Sequence, residues 1–183
     1  MPHDGDNPLL GENLTSTSGE FVAQAPERVQ QMLMAGASRC EILTRLATAG
    51  EVLAGGGAVV SILVINEDGL LRNGASPNLP ADYLQAIDRL KPDANVGTCA
   101  AAAATGAVVM TPDFRADDKG AELRHLPLAL GFQGAWSVPI KSRGGNVLGT
   151  FGTYYRERRT PTADERHGVE RLAAAAALAL TGC

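Results

Sequence analysis

The chain has 183 residues, of which 45% are hydrophobic and 20% charged, with 16 basic against 20 acidic side chains and a net charge of -4. That length fits one domain with a full core better than two, and the charge balance leaves no broad cationic face for nucleic acid. No stretch approaches the roughly 20 apolar residues that span a bilayer, and Met1 to Thr17 lacks the apolar segment of a signal peptide. A cytoplasmic protein is expected, with neither membrane nor nucleic acid as partner.

Residues 1–25 are rich in Pro, Gly, Asn, Ser and Thr. They carry too little apolar surface to order themselves and read as a mobile tail, leaving 26–183 as a single domain. Pro26 opens a helix at a position that proline tolerates. Val29, Met32, Leu33, Ile42, Leu43, Leu46 and Leu53 then recur at helical spacing as far as Gly55-Gly56-Gly57, with Gly36 as a bend or interruption. Ala58 to Ile65 is a β-branched run of strand length. Asn66-Glu67-Asp68-Gly69 turns the chain, and Leu70 to Asn73 returns as a second strand.

The middle of the chain reads as a helix over Pro80 to Leu90, an alanine helix over residues 98–105, a short strand over Val108 to Met110, and a helix from Ala121 to Leu130 that Gly131 stops. Two strands follow, Gly134 to Lys141 and Val147 to Tyr155, joined by Ser142-Arg143-Gly144-Gly145. Arg156, Arg158 and Arg159, the densest basic run, read as a solvated loop, as do Asp117 and Asp118. Thr162 starts the last helix, and Glu165 three residues on completes a capping-box pattern. This order predicts an α+β fold: a central antiparallel sheet of five to six strands, terminal helices on one face and the middle helices on the other.

Three stretches carry a family resemblance. Val96-Gly97-Thr98-Cys99-Ala100-Ala101-Ala102 looks like a G-x-C-G-x-A helix start, Trp136-Ser137-Val138-Pro139-Ile140 like an S-x-P-I strand, and Val147-Leu148-Gly149-Thr150-Phe151 with Tyr154-Tyr155-Arg156-Glu157 like a V-L-G-T-F-x-x-Y-Y strand. In this order, over about Cys40 to Leu180, they resemble the GAF domains of bacterial sensory proteins. Ala100 stands where the family often has glycine, and Arg158 where it often has proline. The resemblance implies a GAF/PAS-like fold with a small-molecule ligand between the sheet and the section Asn73 to Leu130. It also implies a homodimer through the first and last helices, and signalling to a separate protein such as a histidine kinase or a cyclic-di-GMP enzyme. No output domain is recognisable in the sequence, so the expectation is action in trans or a chain that is a fragment of a longer protein.

Within that frame the candidate ligand residues are Gly97, Thr98, Cys99, Ala100, Asp113, Phe114, His125 and Trp136. The start of the alanine helix has unpaired N–H groups and a partial positive charge that suit a small anion or carboxylate. The plainer reading of the same residues is close packing, with Thr98 as a cap and Cys99 as a buried apolar residue. Asp113, followed by Phe114, either meets a ligand amine or hydroxyl or closes a turn after Pro112. Trp136 shares a strand face with Val138 and Ile140; it lines the pocket if that face meets the middle helices, which is the expectation, and lies under the terminal helices if not.

The remaining chemistry narrows by residue type. Free methionine-R-sulfoxide reductases are GAF domains with a cysteine near Cys99, but they need a second in the segment before the S-x-P-I strand, and Asp113 to Trp136 has none. Arg124 stands where bilin-binding relatives carry the cysteine of a Cys-His pair, which excludes covalent bilin through that pair. His125 is left as a candidate haem ligand. His3, His125 and His167 are too scattered for a metal cluster, and Cys40, Cys99 and Cys183 have neither metal-ligand spacing nor the even count of a disulfide framework; as small apolar residues they suit a reducing compartment. The first reading is therefore a sensor domain that is not an enzyme. The alternatives are a reductase, a haem-based gas or redox sensor, and a ligand-free dimerisation scaffold.

Overall fold

The computed structural model describes residues 19–118 and 123–182. Cys183 and residues 119–122, the latter holding the predicted start of the Ala121 to Leu130 helix, lie outside the described residues, as do residues 1–18 of the predicted tail. Residues 19–23 are helical and Phe21 and Val22 are buried. The tail boundary at residue 25 is therefore too late. Val22 packs against Gly168 of the C-terminal helix, and the Phe21 ring lies under the Arg45 guanidinium.

Helix α1 (Ala25–Met34) carries proline in its first turn and gives way to α2 (Arg39–Ala54) through Gly36, whose φ of +82° a glycine adopts without strain. Ser38 restarts the helix with a capping box: its hydroxyl accepts from the Glu41 backbone N–H, and the Glu41 carboxylate accepts from the Ser38 N–H at 2.7 Å. Strand β1 (Val59–Ile65) and β2 (Leu71–Ala75) form a hairpin in which the Asn66 side chain accepts from the backbone N–H groups of Asp68 and Leu70. Helix α3 (Ala81–Ala86) is shorter than the Pro80 to Leu90 pattern. Arg89 takes a left-handed φ of +62°, and Leu90 leaves the helix to bridge Leu71, whose N–H donates to its carbonyl.

Helix α4 (Thr98–Thr105), β3 (Val109–Thr111), α5 (His125–Ala129), β4 (Gly134–Lys141), β5 (Val147–Tyr155) and α6 (Ala163–Thr181) complete the order. All strand pairs are antiparallel in one five-stranded sheet of order β2-β1-β5-β4-β3. Two cores result. Val60, Ile62, Val138, Ile140 and Phe151 meet Ile42 and Leu46 of α2 and Leu172 of α6 on one face. Val59, Leu63, Ala135 and Tyr154 meet Tyr83, Ile87, Cys99 and Ala103 of the middle section on the other. The α+β layering predicted from the sequence is the one observed. At the start of α6 the cap is half of the predicted box: Thr162 accepts from the Glu165 N–H, but the Glu165 carboxylate is committed elsewhere.

Candidate functional site

The alanine helix decides which sheet face carries the site. Alanine side chains reach little beyond the helix backbone, so α4 packs tightly only where the sheet beneath is also small. On β4 that face is Ala135 and Ser137, and on β5 it is Gly152, which sits opposite both Ser61 and Ser137. A Cβ at Gly152 would lie 2.8 Å from Cys99 Sγ, so glycine here is what lets the Cys99 side chain seat on the sheet.

The bulky alternate residues of β4 are thereby sent to the opposite face. Trp136 is 2% exposed and packs in the core under α2 and α6. Its expected place in the pocket is thus corrected: Trp136, Val138 and Ile140 fill the deeper layer under the terminal helices, with the indole N–H lacking a hydrogen-bond partner.

Between α3, α4, α5 and the small-residue face lies a cavity of about 60 Å³. A water in the liquid takes up about 30 Å³, so the space is that of a very small ligand. Gly97, Thr98, Cys99, Ala100 and Phe114, all candidate ligand residues, are among those that line it. Gly97 holds φ at +142°, a conformation that side chains disfavour, and no side chain caps the helix that follows. The Thr98 hydroxyl is instead paired with Thr111 Oγ1 at 2.9 Å. The first N–H groups of α4 therefore present a partial positive charge at the cavity wall.

Two predicted residues besides Trp136 lie outside the lining. Asp113 closes its own loop, accepting from the Arg115 N–H at 3.0 Å, and forms an ion pair with Arg158 at 3.5 Å. His125 is exposed at the first position of α5, where its neighbours Arg124, Leu126 and Pro127 take the inward positions. A haem held by His125 does not fit this arrangement, since the imidazole is outside and the cavity is a fraction of a macrocycle's size.

Several lining residues escaped the sequence reading. Tyr154 and Tyr83 form one wall, with Tyr83 donating to the Tyr154 hydroxyl at 3.0 Å and the rings edge to face. Leu63, Ile87, Leu90 and Val96 supply apolar surface, and Arg124 is the cation at the rim. The alternation of β5 places Tyr154 on the face of Gly152, and the i, i+4 spacing of Tyr83 and Ile87 sets both on one side of α3; these signals were present in the sequence. Burial pushes the Cys99 thiol up, against the pull of the Ser137, Thr150 and Tyr154 hydroxyls. Burial likewise raises both tyrosines. All three groups are neutral near pH 7, so Cys99 is a poor nucleophile. Among the described residues no three His, Cys, Asp or Glu side chains are placed to hold a metal ion, and no helix is long and apolar enough to cross a membrane.

The basic run after β5 is exposed at Arg156 and Arg158, as predicted for a solvated loop, but Arg156 and Arg159 are fixed by ring and carbonyl contacts. Arg156 stacks 4.6 Å over the Phe132 ring and donates to the carbonyls of Gly57 and Leu130. Arg159 lies 3.8 Å over the Tyr155 ring and donates to Glu165 at 2.7 Å and to the Ala54 carbonyl at 3.1 Å. Glu165, 6% exposed, also accepts from the Tyr155 hydroxyl at 2.5 Å.

An antiparallel sheet between terminal helices and a cavity-bearing middle section is the GAF architecture, and the family model for the GAF domain matches residues 36–181. The chain belongs to the GAF family. It is 33% identical over 161 residues to the methyl sulfide methyltransferase-associated sensor of Methanosarcina acetivorans, a match covering 88% of this chain but 16% of that protein. In fold it is similar to a solved GAF domain (TM-score 0.67, 17% identity, 87% of each chain). It is equally similar to the free methionine-R-sulfoxide reductase of Neisseria meningitidis solved with its substrate (TM-score 0.66, 14% identity, 98% of this chain and 94% of that one). The fold is thus shared by sensors and by an enzyme, and the side chains must separate them.

Proposed function

We propose that this GAF domain is a sensory module that binds one small polar or anionic molecule in the cavity beside α4 and passes its occupancy to the terminal helices. The observation that carries this reading is the pair Tyr154-Tyr155. Consecutive strand residues face opposite layers: Tyr154 walls the cavity, and Tyr155 is bonded to Glu165 in the first turn of α6. Arg159 extends the bond to the end of α2 through the Ala54 carbonyl. On the cavity side, Phe132 packs 5.6 Å from the Tyr154 ring and carries Arg156 above it. A ligand that moves Tyr154 tilts the backbone that holds Tyr155, and with it the seat of both terminal helices.

The helices then act on a second copy of the chain and on a separate protein, of the kind represented by a histidine kinase or a cyclic-di-GMP enzyme. A sulfoxide reductase is disfavoured, because the buried, protonated Cys99 is not an attacking thiolate. A collapsed scaffold is disfavoured by the cavity itself. The test is native mass spectrometry of gently purified protein, with its absorption spectrum, followed by titration of any retained molecule against Trp136 fluorescence. Added mass and a ligand-dependent Trp136 signal are expected; an emission spectrum that stays fixed while the cavity fills refutes the coupling.

A further inference from the structure

Resting on that sensory reading, we infer that the ligand class is a short-chain monocarboxylate: one carboxylate on a short apolar tail. The charge inventory of the cavity comes first. Among its described lining residues Arg124 is the one permanently charged side chain, and none is acidic. The Arg124 guanidinium makes a 3.4 Å hydrogen bond to the Arg115 carbonyl, and no carboxylate pairs with it among the described residues. A half-buried guanidinium with no counter-ion among the described residues, beside neutral walls, is matched by one negative charge, and its planar donor fork suits a carboxylate.

The hydroxyls point the same way. In the Tyr83–Tyr154 pair Tyr83 donates, so the Tyr154 hydroxyl keeps its own proton to give. Both tyrosines are more than nine-tenths buried, at 6% and 7% exposure. The Thr98–Thr111 pair likewise uses one proton of two. Each pair thus leaves one hydroxyl proton that a ligand oxygen can accept.

The rest of the wall is apolar: Leu63, Ile87, Leu90, Val96, Phe114 and Leu126. A bare inorganic anion leaves that surface without a partner, whereas a short alkyl group covers it. An amino acid brings an ammonium with no carboxylate to receive it among the described lining residues, at the cost of a buried unpaired charge. A cavity of about 60 Å³ excludes long acyl chains and nucleotides without rearrangement.

The test is titration of the full chain with sodium propionate, followed by ¹⁵N-resolved amide shifts, beside propionamide, alanine and sodium nitrate. Propionate is expected to bind saturably with shifts at residues 97–100, and each of the other three at least tenfold more weakly, the scale of one charge-assisted hydrogen bond. Arg124→Gln should weaken propionate at least tenfold and bring it level with propionamide, while its melting temperature stays near that of the parent. Tyr154→Phe should weaken propionate by a smaller factor. Equal binding of propionate and propionamide overturns the carboxylate assignment and leaves the sensory cavity standing. Tighter binding of nitrate or alanine overturns it in favour of that class. No saturable shift with any probe overturns the inference and the cavity's role as a small-molecule site together.

Discussion

The seating of α4 on the sheet can be tested at Gly152. A methyl group there would lie 2.8 Å from Cys99 Sγ and 3.6 Å from the Ser61 carbonyl oxygen, while real contacts of this type are almost never below 3.0 Å. The sulfur is buried against the sheet beside Ser137, Thr150 and Tyr154, so an added methyl must displace it from that seat. Overpacking of this kind costs about 1–3 kcal/mol. For a domain of this size each kcal/mol lowers the melting temperature by about 2–4 °C. Gly152→Ala should therefore melt about 2–12 °C below the parent by circular dichroism. Cys99→Ala alone should cost about 1 kcal/mol, the scale of one lost buried heavy atom. In the double variant the new methyl occupies the vacated sulfur site, so the combined loss should fall short of the sum by about 1–2 kcal/mol. Strictly additive losses, or a Gly152→Ala protein as stable as the parent, refute the proposed contact and with it the reason for the orientation of β4.

Further predictions concern the groups that the site leaves buried. Burial holds the Cys99 thiol and the Tyr83, Tyr154 and Tyr155 phenols protonated in the native state at pH values where the unfolded chain releases them. The native state then binds more protons, so stability is full below the ordinary thiol pKa of about 8.5 and falls as pH rises through the thiol and phenol range; urea midpoints between pH 7 and 11 should decline, and a flat profile contradicts the burial. For the same reason a thiol reagent at pH 8 should label exposed Cys40 rapidly and Cys99 only on unfolding, as read by peptide mapping. Tyr155→Phe removes a hydrogen bond to a buried carboxylate and should cost about 1.5–3 kcal/mol in urea denaturation. Trp136, the sole tryptophan, should emit as an apolar-environment indole shielded from iodide, and red-shifted, quenchable emission places it outside the core described here.

Most of the fold was legible because its signals are local. The alanine helix over residues 98–105 and both long strands agree with the sequence reading to the residue, and Thr162 caps the last helix as predicted. What the sequence hid was relational. Alternation groups Trp136 with Val138 and Ile140 but does not say which layer receives them; that depends on α4 needing small residues beneath it, a fact shared among Ala135, Ser137 and Gly152 on two strands. The end of α3 depends on Leu90 finding Leu71, nineteen positions away by sequence number. The run Arg156 to Arg159 looks like solvated surface in one dimension, yet Phe132 and Tyr155 offer ring faces that only the folded chain brings under those guanidinium groups. Of the candidate cavity lining, the α4 start and Phe114 came from the family resemblance and Tyr83 had a helical-spacing signal that went unread, whereas Arg124 becomes visible only when α5 closes over the sheet.

The central claim is that filling the cavity beside α4 alters the seat of the terminal helices through Tyr154 and Tyr155. Hydrogen exchange, followed by mass spectrometry in the parent and in Tyr155→Phe with and without saturating propionate, tests it most directly. The account predicts that propionate changes exchange at residues 97–100 in both proteins, and at the start of α6 around Glu165 only in the parent. Changes confined to the cavity walls of the parent, with α6 untouched, contradict it.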